Sequence, residues 1–220
     1  MELLIFGYGG TPVVVFPTSG GRFYDFEDRG MVAALAEKID LGQLQLYCVD
    51  SVDKESWYNR AAHPRLRIAR QKQYDEYIRQ EVVLFIRRRN MEPRLVTAGC
   101  SFGGYHAVNT ALRHPDVFTG FVSMSGVFDL SGFLSGYNDQ DCYLQLPTHY
   151  VPRIVDPWYL NRFRQGSYTL VTGRDDQCLA GNQAFDQILT EKAIPHQFHI
   201  WESENSHDWP TWQKMAQEYL

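Results

Sequence analysis

The 220-residue sequence predicts an α/β fold, a mostly parallel central sheet covered by helices on both faces. Three observations predict it. Segments of strand character alternate with segments of helical period along nearly the whole chain. Most of the strand segments are apolar at every position rather than at every second one, as strands buried on both faces must be. No repeat, low-complexity stretch or linker divides the chain, and its length suits a single core, so one domain is expected over 1–220.

The elements follow in order. "ELLIF" and "VVVFP" flank the turn-rich link "GYGGTP" and read as a hairpin. In "EDRGMVAALAEKID", Met31, Val32, Leu35, Ala36 and Ile39 fall on one helical face, with Asp25 or Asp28 placed to cap the start. "QLQLYCVD" is a strand, and the loop after it carries Trp57 and Tyr58. Ile78, Val82, Leu84, Phe85 and Ile86 mark a long helix from about residue 65 to 89. Arg87, Arg88 and Arg89 close it, where cations suit the negative end of the dipole. "RLVTAGC" is a strand and "FGGYHAVNTALRHP" a helix ended by Pro115. "GFVSMSG" is a strand, followed by an irregular, cap-like insertion over about 127–166. "SYTLVTG" is a strand, "QAFDQILTEKAIP" a helix and "QFHIWES" a strand. The last helix, "WPTWQKMAQEYL", carries Pro210 in its first turn.

Composition removes several classes of function. The net charge is −5, so no basic face for nucleic acid or an anionic membrane is expected. Cys48, Cys100, Cys142 and Cys178 form no CxxC and share no zinc spacing with histidine, so neither metal nor cofactor is expected. His196 and His199 are read as members of one strand, pointing to opposite faces and unable to chelate together. The start has no basic leader region, no run reaches transmembrane length, and free thiols fit a reducing cytoplasm. A homo-oligomer is left open.

Ligands of such sheets bind beyond the carboxyl ends of the strands. One of those ends carries Gly99-Cys100-Ser101-Phe102-Gly103, a Gly-x-Ser-x-Gly between a strand and a helix. That strand–turn–helix elbow presents a serine hydroxyl on a sharp turn whose flanks have room only for glycine. A serine hydroxyl needs a base and an orienting acid to act as a nucleophile, in the chain order Ser, acid, His. His63 precedes the elbow, His106 and His114 lie on the helix leaving it as packing or surface groups, and His149 falls in the insertion. Only His207, in "ESENSHDWPTW", sits in a loop beyond the last strand. "LVTGRDDQCL" offers Asp175 and Asp176 as acids, one to serve and one to cap, with Asp129 in "MSGVFDL" as the next choice. Two N–H groups would form an oxyanion hole: Phe102, after the serine, and Ser19 in "VVVFPTSGG", with Thr18 next. Phe23, Tyr24, Trp57, Tyr58, Tyr105, Trp158 and Trp209 crowd the expected rim, among them Trp57, Tyr58, Tyr105 and Trp209 as substrate-binding candidates. Cys100 is expected to be a buried, inert thiol.

"GCSFGGYHA", "TGRDDQCL" and "HDWPTW" together resemble the Putative esterase branch of the α/β-hydrolases, which includes esterase D and S-formylglutathione hydrolases, enterochelin-type esterases and mycolyltransferases. The resemblance covers nearly the whole chain. It implies an α/β-hydrolase fold with a small lid and a serine carboxylic ester hydrolase acting on small or short-acyl esters through an acyl-enzyme. The acid loop of the esterase D group implies that Asp176 is the acid, and the His-Asp-Trp segment of the enterochelin-type group supports His207. Acyl transfer or thioester hydrolysis by the same triad, and a catalytically silent binding protein, are the alternatives. The sequence departs from the family at the oxyanion loop, where Pro17-Thr18 stand for the usual His-Gly. It also opens directly on "MELLIF", where relatives carry a further strand.

Overall fold

The computed structural model describes residues 1–202 and 207–220. The end of the strand expected through Ser203, and the loop from Ser203 to Ser206, lie outside the described residues. The chain forms β1 (Leu3–Phe6), β2 (Thr11–Phe16), α1 (Asp25–Asp28), α2 (Met31–Ala34), α3 (Ala36–Asp40) and β3 (Leu44–Val49). A long helix follows as α4 (Pro64–Tyr77), one wide turn over Ile78–Val82, and α5 (Val83–Arg87). Next come β4 (Val96–Cys100), α6 (Phe102–Arg113) and β5 (Gly120–Met124). Four short helices cross the insertion: α7 (Ser131–Leu134), α8 (Gln140–Tyr143), α9 (Pro147–Tyr150) and α10 (Pro157–Phe163). The chain closes with β6 (Ser167–Gly173), α11 (Leu179–Glu191), β7 (Gln197–Trp201) and α12 (Trp209–Tyr219).

Seven strands form one sheet in the order β1-β3-β2-β4-β5-β6-β7, parallel except for β1. Successive strand side chains alternate between its faces. Val14, Phe16, Tyr47 and Val49 join the core beneath α4 to α6 and α11. Val13, Val15, Leu46 and Cys48 join the opposite core with Met31, Leu35, Ile39, Trp212 and Met215. Both faces are therefore covered, which is why the strands need no polar positions.

The strand order reverses between β2 and β4. The loops leaving the carboxyl ends of these two neighbours diverge, and a crevice opens where they do. The loop after β2 carries Pro17 to Gly21, and the turn after β4 carries Ser101. Topology alone thus brings the expected oxyanion loop beside the elbow.

Several expectations are corrected. β1 and β2 do not form a hairpin: β1 pairs antiparallel with β3, with Leu3 opposite Val49. Both edges of β2 are taken by apolar parallel partners, and β1, with Ile5 exposed, suits the sheet edge. The helix expected over 27–40 breaks into short pieces, because Gly30 adopts φ 72° and interrupts the helical backbone. Met31, Leu35 and Ile39 remain buried, whereas Ala36 is exposed. Neither Asp25 nor Asp28 caps: Tyr24 precedes the first helix, and the Asp25 carboxylate instead accepts from the Thr18 N–H (3.0 Å) and hydroxyl (2.9 Å). His196 lies just before β7 rather than in it, its ring meeting Asp186 at 2.8 Å. The insertion is more regular than expected, with Asp139 and Asp156 capping helices and Pro147 and Pro157 starting them.

Candidate active site

Ser101 occupies the turn between β4 and α6 with φ 56° and ψ −119°. A non-glycine residue in that region carries a cost of about 1–3 kcal/mol. Its surroundings hold it there. The Ser101 N–H donates to the Met124 carbonyl at 2.9 Å, and the Ser101 carbonyl accepts from Gly104 (3.0 Å) and Val127 (3.2 Å). The flanking glycines leave no room for a methyl group. A Cβ on Gly99 would lie 2.3 Å from the Gly103 backbone, and one on Gly103 would lie 2.5 Å from the Phe16 carbonyl oxygen and 2.6 Å from that of Pro17. Gly103→Ala is therefore expected to cost about 3 kcal/mol. The thermal midpoint should fall by about 6–12 °C, read by scanning calorimetry.

The His207 Nε2 lies 3.1 Å from the Ser101 Oγ, and its Nδ1 lies 2.9 Å from the Asp176 Oδ1. With Nδ1–H donating to the carboxylate, Nε2 is the acceptor for the serine hydroxyl. Asp176 is buried, and Asp175 beside it is exposed. Burial alone would raise the Asp176 carboxyl. The His207 ring, the Ser125 hydroxyl, the Cys178 N–H and the charge of His207 outweigh it and hold the group below its ordinary value. Asp176 also accepts the Cys178 N–H at 2.7 Å, so it caps the turn as well as meeting His207. Asp129, the alternative acid, is instead engaged locally by Ser131 (3.0 Å to the N–H, 2.6 Å to the hydroxyl).

Phe102 opens α6, so its N–H has no partner within the helix. Among the described residues no hydrogen bond engages that N–H or the N–H of Ser19. The Thr18 N–H, the other candidate, is committed to Asp25. Tyr58 steadies the loop by donating its hydroxyl to the Ser19 Oγ at 2.7 Å.

Residues 9–218 match the family described as Putative esterase. The chain belongs to this family. It is a serine ester hydrolase of the α/β-hydrolase fold. Its fold is similar to that of a ferulic acid esterase (18% identity, TM-score 0.73, covering 96% of this chain and 84% of that one). An S-formylglutathione hydrolase from Agrobacterium tumefaciens aligns at 14% identity and TM-score 0.75, over 99% of this chain and 86% of its own. One from Staphylococcus aureus aligns at 18% identity and TM-score 0.70, over 97% and 80%. No curated protein sequence matches the chain.

Three of the esterase's expected rim residues lie elsewhere. Trp57 is 1% exposed and Tyr105 0%, both in an apolar cluster with Phe102, Leu130, Leu134 and Leu146. Arg67 donates to the carbonyls of Ser56 and Trp57, which ties the loop to α4 and leaves the indole in the core. Tyr58 does stand at the surface, its ring 5.3 Å from that of Phe102. Trp209 packs on Trp212 at 5.1 Å, and Trp212 in turn meets the His207 ring at 4.9 Å. Phe23 and Tyr24 pair with each other at 5.1 Å, and Trp158 lines a separate hollow with Tyr143 and Tyr159. Cys100 is buried as expected, and burial holds its thiol well above the ordinary range.

Other supporting groups of the esterase had no signal in the sequence. Ser125 accepts from the Trp212 indole N–H at 3.0 Å, so one tryptophan supports both His207 and the serine beside Asp176. Asp176, Cys178 and His207 place donor atoms within 4.8 Å of one another, the one such group among the described residues. The Cys178 thiol is pushed up to about 12 by burial and by the Asp176 charge. The other two members are already bonded to each other, so the group is committed to hydrogen bonds rather than to a cation.

A further His–Asp pair lies beneath the loop after β2. The His106 Nε2 is 2.8 Å from the Asp53 Oδ1, and both side chains are shut away from solvent. The Asp53 Oδ2 accepts the Gly20 N–H at 3.4 Å, and the His106 ring stands 5.2 Å from that of Phe102. The pair thus joins α6 to the loop that carries Ser19. His106→Phe keeps the ring stacking but strands a buried carboxylate, and should cost about 3 kcal/mol. Urea unfolding should show a lower midpoint with an unchanged m value.

Proposed function

We propose that the esterase cleaves small carboxylic esters with Ser101 as nucleophile, His207 as general base and acid, and Asp176 as the orienting carboxylate. The observation that carries this reading is the unbroken chain from the Ser101 Oγ through His207 to Asp176, at 3.1 and 2.9 Å. As the Ser101 Oγ attacks the ester carbonyl, its proton passes to the His207 Nε2. The imidazolium gains charge against a carboxylate that is held ionised. The carbonyl oxygen becomes an oxyanion between the N–H groups of Phe102 and Ser19, which are fixed before the reaction begins. Collapse of the tetrahedral intermediate breaks the bond to the alcohol oxygen, which takes the proton from His207. The acyl group remains on Ser101. A water then gives a proton to His207, adds to the acyl carbon, and Ser101 leaves as that proton returns to its oxygen.

Intact-mass analysis after treatment with an ethoxy fluorophosphonate tests the reading. One adduct on the parent and none on Ser101→Ala is the expected result. A folded parent that takes no adduct overturns Ser101 as the nucleophile. Adding an alcohol or thiol acceptor and identifying the products separates hydrolysis from acyl transfer.

A further inference from the structure

A cavity of about 430 Å³ opens between the insertion and α11. Phe128, Leu130, Leu134, Leu146, Gly181 and Ala184 give it most of its apolar lining, and Asp129, Ser131, Asn138, Thr148 and His149 add polar groups to it. The apolar lining is linked by chain or by packing to the segments that carry Ser101 and Asp176. Phe128 follows Val127, whose N–H donates to the Ser101 carbonyl at 3.2 Å. Leu130, Leu134 and Leu146 pack in the same apolar cluster as Phe102, the residue after Ser101. Gly181 and Ala184 lie on α11, which begins three residues after Asp176. The first turn of that helix is tied to the elbow's neighbourhood by Asn182, whose amide donates to the Gly126 carbonyl at 2.9 Å and to that of Cys178 at 2.8 Å.

We infer that this cavity is the subsite for a ring-sized apolar group of the ester, an aryl or compact branched group. The inference rests on Ser101 being the nucleophile. Cavities of roughly 300–1,000 Å³ with mostly apolar walls are the usual receptacles for small ligands. A space of this volume between α11 and the short helices of the insertion suits a compact group. Burying that group supplies binding free energy remote from the carbonyl, and it orients the carbonyl toward the N–H groups of Phe102 and Ser19.

The test fills the cavity from its helical wall. A Cβ on Gly181 would lie 4.0 Å from its nearest neighbours, two atoms of Phe128, and Ala184 is exposed, so Gly181→Leu and Ala184→Leu put bulk into the space without displacing backbone. Leucine is also a strong helix former, so both chains should melt cooperatively. Two ratios of kcat/KM are measured for each protein: phenyl acetate against ethyl acetate for the alcohol side, and ethyl benzoate against ethyl acetate for the acyl side. At least one ratio should fall about tenfold or more in both variants, and the ratio that falls names the side of the ester that enters the cavity. Ratios within about twofold of the parent in both series would overturn the subsite, provided the parent still takes the fluorophosphonate label. A parent that takes no label removes the nucleophile reading and the subsite with it.

Discussion

Ser101→Ala is expected to lower kcat by about 10³-fold or more while the folded structure is kept. In the proposed mechanism the Ser101 Oγ is the atom that bonds to the acyl group, and no neighbour can replace it. The Cys100 thiol beside it is buried and held protonated, pointing into the core rather than the crevice. What activity remains would come from the two oxyanion N–H groups acting on direct attack by water. Burst kinetics with a chromogenic acetate ester check the result: the parent should release a stoichiometric burst where deacylation is slow, and the variant none. A variant with more than a tenth of parental kcat would require a different nucleophile.

Asp176→Asn should lower kcat by about 10³- to 10⁴-fold, close to the effect of losing the serine. An amide can turn its NH₂ toward His207, which then presents Nδ1 as the acceptor and carries its proton on Nε2. The hydroxyl of Ser101 would then face a donor instead of a base. Asp175→Asn, at an exposed neighbour, should stay within about threefold of the parent. Steady-state kinetics of the two variants side by side decide the assignment. Full activity in Asp176→Asn with loss in Asp175→Asn would reverse it.

That Ser101, His207 and Asp176 would meet was legible because chain order and strand ends are local properties. The apolar run into Gly99 and the helix from Phe102 define the elbow, and only one histidine follows the last strand. The choice of Asp176 over Asp175 rested on resemblance, and burial now separates the two. The hairpin failed because a strand's partner is set by competition among all strands. The short β1 reaches only the sheet edge, once β3 and β4 have taken β2. Trp57 and Tyr105 were misplaced because an aromatic near a loop gives no sign of which way it turns. Arg67, ten residues beyond Trp57, decides it. The Asp53–His106 pair joins residues 53 positions apart, and no local pattern announces such a meeting.

The strained backbone at Ser101 has a consequence for drift in sequence. Glycine reaches φ 56° with little penalty. A serine-to-glycine change at this position would thus abolish the hydroxyl and relax the turn together. Genetic decay of the activity runs downhill in folding free energy at its most sensitive codon. Lineages freed from selection for hydrolysis would shed the nucleophile before they shed the architecture.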